Sequence, residues 1–310
     1  MSENRYYTYR QYCNILFGNR AQKISINAGL TCPNRDGTKG WGGCTFCNNS
    51  TFNPDYCQPQ IGITKQIDRG IEFFSKYKSD TFLAYFQAYS NTYGDTKKLL
   101  QLYNEALLHP KISGIVIGTR PDCLATELLQ QLADIRRKKY VAIELGVESC
   151  YNDTLERINR GHTWEESVEA IKQVDKMGID IGIHLIMGLP AETRQLMLQE
   201  ATLISELPIT FLKLHQLQIV KGSKMAAEYI ASPQQFDLFS ADEYANFCVD
   251  FLEHLAPHIV VERFISQAPR EMVIAPFWNI KNFEFVHLVE KLLTQRNTKQ
   301  GVKYIQTISQ

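Results

Sequence analysis

From residue 21 to residue 217 the chain alternates short apolar runs with amphipathic stretches. QKISINA, TFLAYFQA, SGIVIGT, YVAIELGV, DIGIHLIMG and FLKLHQLQI have strand length. Between them, ITKQIDRGIEFFSKY, TKKLLQLYNEALLH, ATELLQQLADIRRK, TWEESVEAIKQVDKMG and TRQLMLQEATLISEL space their Leu, Ile, Val and Phe at helical intervals. Asp95 or Thr96, Thr126, and Thr163 with Glu166 three residues on are expected helix caps. Six strands separated by helices, without hairpin signals, predict an α/β fold with a parallel sheet and right-handed crossovers. That leaves a doubly wound sheet or a barrel.

Alternation within the strands separates two faces. In YVAIELGVE one parity gives Val141, Ile143, Leu145 and Val147, a helix-facing set; the other gives Ala142, Glu144, Gly146 and Glu148. Two carboxylates do not suit a hydrocarbon interior, because an unpaired buried charge is very costly. The same test puts Gly182, His184 and Ile186 of the fifth strand inside, with Phe211, Lys213, His215 and Leu217 of the sixth, and Tyr85 and Gln87 of the second. A polar interior at several strands implies a cavity with something charged in it; the plain alternative is side chains near strand ends that reach water. Thr119, Arg120 and Asp122 follow the third strand at its C-terminal edge, where parallel α/β folds bind ligands. Residues 218–310 lose the regular alternation. They hold two helix candidates, ADEYANFCVDFLEHL and FEFVHLVEKLLTQ, around a strand-like HIVVERFI. The expected organisation is an N-terminal extension (1–20), a barrel core (21–217) and a C-terminal α/β extension (218–310) packed on it.

At 310 residues the chain is long enough for one such barrel with an appendage. A hydrophobic content of 44% and a charged content of 21% are ordinary for a globular protein. No apolar run approaches the ~20 residues of a membrane span, and the polar start MSENRYYTYRQYCN does not read as a signal peptide. The expectation is a cytoplasmic protein with no membrane partner, in which the eight cysteines are reduced. Formal net charge is zero, so no global field attracts nucleic acid.

Three of those cysteines crowd into LTCPNRDGTKGWGGCTFCNN, after the first strand. Cys44 and Cys47 have the spacing that grips one metal centre, and Cys32 is brought in by a loop in which Gly37, Gly40, Gly42 and Gly43 permit tight folding. A structural zinc site needs a fourth ligand, for which Cys57 or Cys13 are candidates. A [4Fe-4S] cluster can be held by three cysteines with one iron left open. Spacing alone leaves both readings standing.

Cys32, Cys44, Phe46 and Cys47 resemble, in expanded form, the motif ending in C-x-aromatic-C of the radical S-adenosylmethionine (radical SAM) superfamily, with eleven residues instead of three between the first two cysteines. IELGVESCYNDTLERINRGHTWEESVEAI, IGIHLIMGLPAET, LKLHQLQIVKGSKM and VVERFISQAPREMVIAPFWN are similar to segments of the YhcC/YtqA-type branch, relatives of the catalytic subunit of elongator, whose acetyltransferase domain is not matched here. The resemblance implies a partial (β/α)6 TIM-type barrel. It also implies that S-adenosylmethionine fills the open iron position and that its reductive cleavage yields a 5′-deoxyadenosyl radical. A reductant such as flavodoxin or ferredoxin would supply the electron, and a tRNA wobble uridine would be the substrate. The competing readings are a radical enzyme acting on a small metabolite or protein side chain, and a zinc-stabilised, non-catalytic barrel that binds RNA or protein.

The same resemblance assigns roles. Phe46 would pack beside the adenine edge, or be a core aromatic. Gln87 and Tyr89 stand where the superfamily has a GGE contact to the cofactor's amino group, although FQAYSNT occupies that place here. Glu148 and Arg160 match contacts to ribose and carboxylate, a task for which a planar guanidinium is suited; the alternative is a surface ion pair. His184 matches a cofactor-contacting position on the fifth strand. Arg120, Lys213 and His215 are substrate-facing candidates, as are Arg263 and Trp278 of the C-terminal element, Trp278 being equally a core anchor. Cys13, Cys57, Cys123, Cys150 and Cys248 then read as structural or incidental, Cys57 being the one whose thiolate would close the site. Arg136-Arg137-Lys138-Lys139 reads as a solvated helix end, with a tRNA contact as the minority alternative.

Overall fold

The computed structural model describes residues 4–48, 51, 53–77 and 79–305. Six strands fall where the pattern places them: β1 (Ala21–Ile26), β2 (Thr81–Phe86), β3 (Ile112–Thr119), β4 (Tyr140–Glu148), β5 (Asp180–Met187) and β6 (Phe211–Gln216). Three more follow, β7 (Ile219–Val220), β8 (Val260–Arg263) and β9 (Val273–Ala275). The helices are α1 (Tyr9–Phe17), α2 (Ile63–Phe73), α3 (Thr96–Leu108), α4 (Thr126–Arg136), α5 (Asn152–Arg157), α6 (Trp164–Lys176), α7 (Arg194–Ser205), α8 (Lys224–Ala231), α9 (Ala241–His254) and α10 (Asn282–Gln295). Among the described residues no helix is long and apolar enough to cross a membrane.

The strands form one parallel sheet in the order β1-β2-β3-β4-β5-β6-β8, curled into a partial barrel with helices outside. The partial TIM-type barrel is thus borne out, and the strand-like HIVVERFI adds a seventh strand to the six expected. Val260 and Val261 lie opposite Phe211 and Leu212. The long crossover through α8 and α9 hides this partnership from local spacing. The sheet does not close: β1 and β8 are its edges, and an ion pair from Lys23 to Glu262, at 2.6 Å, spans the gap.

Helix starts follow local chemistry. Asp95 accepts from Lys98 N and caps α3, and Thr163 and Glu166 form a reciprocal capping box at α6. Thr126 is a correction: it is already the first helical residue. Ala125, in extended conformation, holds the cap position without a side-chain bond.

Strand parity sorts the core. Val141, Ile143, Leu145 and Val147 are buried against the helices in the main core cluster. The inward set is layered along the strands. At the N-terminal end Leu83, Val116, Ala142, Phe211 and Val260 form an apolar layer, and α1 stoppers it with Tyr9 and Tyr12. Tyr12 meets Phe211 edge-on, with ring centroids 4.8 Å apart. Above that layer come Lys23, Tyr85, Glu144, Lys213 and Glu262, and above those the open C-terminal end. Polar interior positions therefore begin where the filled core ends.

Candidate active site

After β1 the chain folds on itself before reaching α2. Cys32 O accepts from Arg35 N (2.8 Å) and Asp36 N (3.2 Å), Asp36 and Trp41 form an antiparallel bridge, and Gly43 N returns to Asn34 O at 2.8 Å. The eleven residues between Cys32 and Cys44 are thus a small hairpin that brings both cysteines to the same place. Gly37 adopts φ +90° at its tip, where a Cβ would lie 2.3 Å from the Trp41 ring. The Cys44–Cys47 turn closes with Cys47 N to Cys44 O at 3.0 Å. Thr45 anchors that turn through Ile158 O (2.9 Å) and Met225 N (2.8 Å).

All three thiols line one cavity of about 260 Å³ at the C-terminal end of the strands. Two of them receive N–H groups. Arg160 Nη1 lies 3.4 Å and Asn34 Nδ2 3.7 Å from Cys44 Sγ, and Arg35 Nη2 lies 3.7 Å from Cys47 Sγ. Burial and the adjacent Cys44 push the Cys47 thiol up, while Arg35 and Arg160 work against that rise. Among the described residues no three Cys, His, Asp or Glu side chains converge as a single ion requires. Cys57 and Cys13 do not line the cavity. Cys57 is buried in the main core, its thiol pushed up to about 12 by burial, and Cys13 packs under α1.

A cluster with an anionic partner fits this lining. Thiols at the cavity wall, with N–H donors on their sulfurs, suit an iron–sulfur group. Two guanidinium nitrogens also stand unpaired there: Arg120 Nη1 and Arg160 Nε, on residues only 2% and 6% exposed. The rest of Arg120 is held bidentately by Asp122 at 2.8 and 3.0 Å. Arg160 Nη2 donates to Gly146 O and lies 3.5 Å from Glu148. Buried, unsatisfied guanidinium donors are costly, and a carboxylate would satisfy them. Gly146 makes room: a Cβ there would sit 2.5 Å from the Glu148 carboxylate and 2.7 Å from Arg160. The strand register shifts between Gly146 and Glu148, and Glu148 takes φ +75° as β4 ends, a strained geometry for a side chain in the cavity wall.

The deeper wall is a buried charge network. Glu144 binds Lys23 Nζ (2.5 Å), Lys213 Nζ (2.6 Å) and His184 Nε2 (3.0 Å), while Glu262 binds both lysines at 2.6 and 3.2 Å. Burial alone would raise the Glu144 carboxyl, but Lys213, Lys23 and His184 outweigh it and hold the group well below the carboxylate range. Lys213 is pulled down by burial, against the pull of Glu144 and Glu262. His215, whose ring centroid lies 5.2 Å from that of His184, is held neutral by burial and by the positive charge around it.

Phe46, Gln87, Arg120, Glu148, Arg160, His184, Lys213, His215 and Arg263 all line this cavity, as does Tyr89, on which Arg35 rests at 5.7 Å from the ring centroid. Trp278 does not. Its ring stacks on Phe285 and its Nε1 donates to Phe239 O at 2.9 Å, so it anchors the loop after β9. The basic run is accounted for locally: Arg136 pairs with Asp180, Arg137 lies 3.6 Å from Asp134, and Lys139 donates to Ile112 O, at the end of the sheet away from the cavity. Sequence reasoning missed Asn34, Arg35, Lys23 and Glu262. The parity test, applied to QKISINA and HIVVERFI, brings out the last two.

A family model of the Radical SAM superfamily matches residues 31–203, and one of the Radical_SAM C-terminal domain matches residues 209–295. YtqA of Bacillus subtilis is 32% identical over all of this chain and 95% of its own length. YhcC of Escherichia coli is 34% identical over 84% of each chain. A tRNA uridine(34) acetyltransferase of Methanocaldococcus jannaschii is 26% identical over 40% of this chain and 23% of its own. In fold, the chain matches the archaeal Methanocaldococcus infernus Elp3 with a TM-score of 0.68 at 15% identity, over 90% of this chain and 64% of that one. The chain belongs to the radical SAM superfamily and is a radical SAM enzyme.

Proposed function

We propose that this enzyme holds a [4Fe-4S] cluster on Cys32, Cys44 and Cys47 with S-adenosylmethionine beside it, and modifies a nucleoside of RNA, a tRNA wobble uridine. The observation that carries the cofactor reading is the convergence, in one cavity, of three thiols, N–H donors to two of their sulfurs, and unpaired buried guanidinium nitrogens. When bound, the pair supplies one-electron cleavage of a carbon–sulfur bond and a hydrogen-abstracting radical, the electron coming from a reductant such as flavodoxin or ferredoxin. Arg160 and Arg120 receive the carboxylate of the amino-acid moiety. Glu148 accepts from a ribose hydroxyl, and Phe46 covers the adenine. Gln87, fixed at the end of β2 by Ile26 O, and His184, held by Glu144, complete the wall. The lysine–glutamate network keeps its charges paired, so this wall of the interior stays ordered.

The RNA reading is supported by the relative named for tRNA uridine(34) and by the likeness to the archaeal Elp3 fold. Two measurements test the proposal. Anaerobic protein with dithionite and S-adenosylmethionine is expected to release 5′-deoxyadenosine, and Cys44→Ala to release none; an active alanine variant refutes the ligand set. Comparison of tRNA nucleosides from wild-type and deletion strains is expected to show one altered wobble uridine. An unchanged profile transfers the substrate to the metabolite or protein class.

A further inference from the structure

A second cavity, about 350 Å³, opens beside the first and shares Gln216, Gln218 and Ser266 with it. Its outer wall is the loop 276–281 between β9 and α10. The active-site cavity is smaller than the ~300–1,000 Å³ usual for a single ligand of moderate size. A nucleoside cofactor and the reacting atoms of a substrate fill it, so the body of the substrate lies outside, and this adjoining space is where the outlet leads.

Its walls are fixed before any ligand arrives. The Gln216 side chain pairs with both backbone groups of Ser266 (3.0 and 2.9 Å), and Gln218 accepts from Ala268 N (3.1 Å). Gln267 donates to Ile280 O (3.0 Å), and the Trp278 anchor holds the far side. Phe277, 50% exposed, carries the Arg270 guanidinium 5.0 Å from its ring centroid. Lys281 stands at the start of α10 on the same wall, beside Glu284, whose carboxylate accepts from Lys281 N at 2.7 Å. An exposed aromatic face backed by a guanidinium is a platform on which a nucleobase stacks, neutral amides suit the edges of a heterocycle, and the two cations suit a phosphate. A carboxylate metabolite would use the cations and leave the aromatic face idle.

We infer that the second cavity holds an unstacked nucleotide of single-stranded RNA, its base on Phe277 and its phosphate at Arg270 and Lys281, presenting the adjoining nucleoside to the active site. This assignment rests on the RNA reading above. The test is fluorescence anisotropy of a labelled single-stranded RNA oligonucleotide of anticodon-loop sequence on anaerobically reconstituted protein. Phe277→Ala is expected to weaken binding about tenfold, as loss of one stacked base does. Phe277→Trp retains binding, Arg270→Ala weakens it and lowers its salt dependence, and Arg10→Ala, on α1 at the other end of the barrel, leaves it unchanged. Tight binding that is indifferent to Phe277→Ala and Arg270→Ala overturns the cavity assignment and leaves the RNA reading intact. Wild-type protein that binds no oligonucleotide at low salt overturns both, and binding displaced equally by an acidic peptide assigns the cavity to protein.

Discussion

Arg35 and Asn34 sit in the hairpin that separates Cys32 from Cys44, so the insertion that lengthens the cysteine motif also brings polar hydrogens to its sulfurs. Hydrogen bonds to cluster sulfurs, like nearby positive charge, favour the reduced state. Arg35→Met removes both with little change in volume. The expected result is full iron uptake with a lower midpoint potential and an altered electron paramagnetic resonance signal in the reduced protein. A potentiometric titration identical to wild type would show that Arg35 does not act on the cluster. Cys57 provides the counterpart. Its thiol is enclosed by core side chains, so Cys57→Ala is expected to bind as much iron as wild type, and loss of one iron site on chemical analysis would make it a ligand after all.

Two junctions between elements hold the chemistry in place, one at the end of β4 and one within β4, β6 and β8. Behind Glu148, Ser149 Oγ donates to Glu192 and Cys150 N donates to Glu200 (2.7 Å). Burial pushes Glu192 up to about 7 and Glu200 well above the usual carboxylate range, the latter also through Glu192. Both carboxyls are therefore protonated in the folded chain at a pH where the unfolded chain has lost those protons. Their contribution is complete below the ordinary carboxylate range and fades as pH rises through 7 and beyond. The melting temperature is expected to fall between pH 5 and pH 8, and Glu200→Gln to raise it at pH 8 and flatten the slope; a slope equal to wild type would remove the pair as its source. At the other junction Lys213 closes the network on Glu144 and Glu262. Breaking a buried pair from one side is expected to cost roughly 3 kcal/mol, read as a lower urea midpoint for Lys213→Met. A loss below about 0.5 kcal/mol, the scale of an inconsequential surface change, would show that Lys23 alone suffices. How much of this was legible in the sequence follows from range. Period-two alternation in YVAIELGVE placed Glu144 and Glu148 inside because both signals are local. The pairing of β8 with β6 spans a crossover of more than forty residues, and the Asn34 and Arg35 contacts depend on the hairpin's shape; neither leaves a periodic trace.

The molecule as a whole solves an open barrel by bringing its two ends together. The sheet edges β1 and β8 exchange no ladder hydrogen bonds, so the floor under the charge network depends on what lies beneath it. That is α1, whose leading residues are tied to β8 and to the C-terminal turn: Val261 N of β8 bonds Tyr7 O (2.8 Å), and in the turn Gln300 N bonds Arg5 O (2.8 Å) and Arg5 Nη1 reaches Thr298 O (3.0 Å). Gln300 is the clasp. Only 6% exposed, its side chain accepts from Tyr7 N and donates to Ala256 O and Ile259 O, each at 2.8 Å. Gln300→Ala strands a backbone N–H and leaves two carbonyls short of a partner, at a summed cost of roughly 3 kcal/mol. The loss falls on the seating of α1, so the urea midpoint is expected to drop while limited proteolysis moves to the first twenty residues ahead of any cut in the barrel. Because α1 covers Tyr85, Phe211 and the Lys23–Glu262 bridge, its release wets the floor of the cavity from below. Wild-type proteolysis and an unchanged midpoint would mean that the tyrosines of α1 hold the stopper by packing alone.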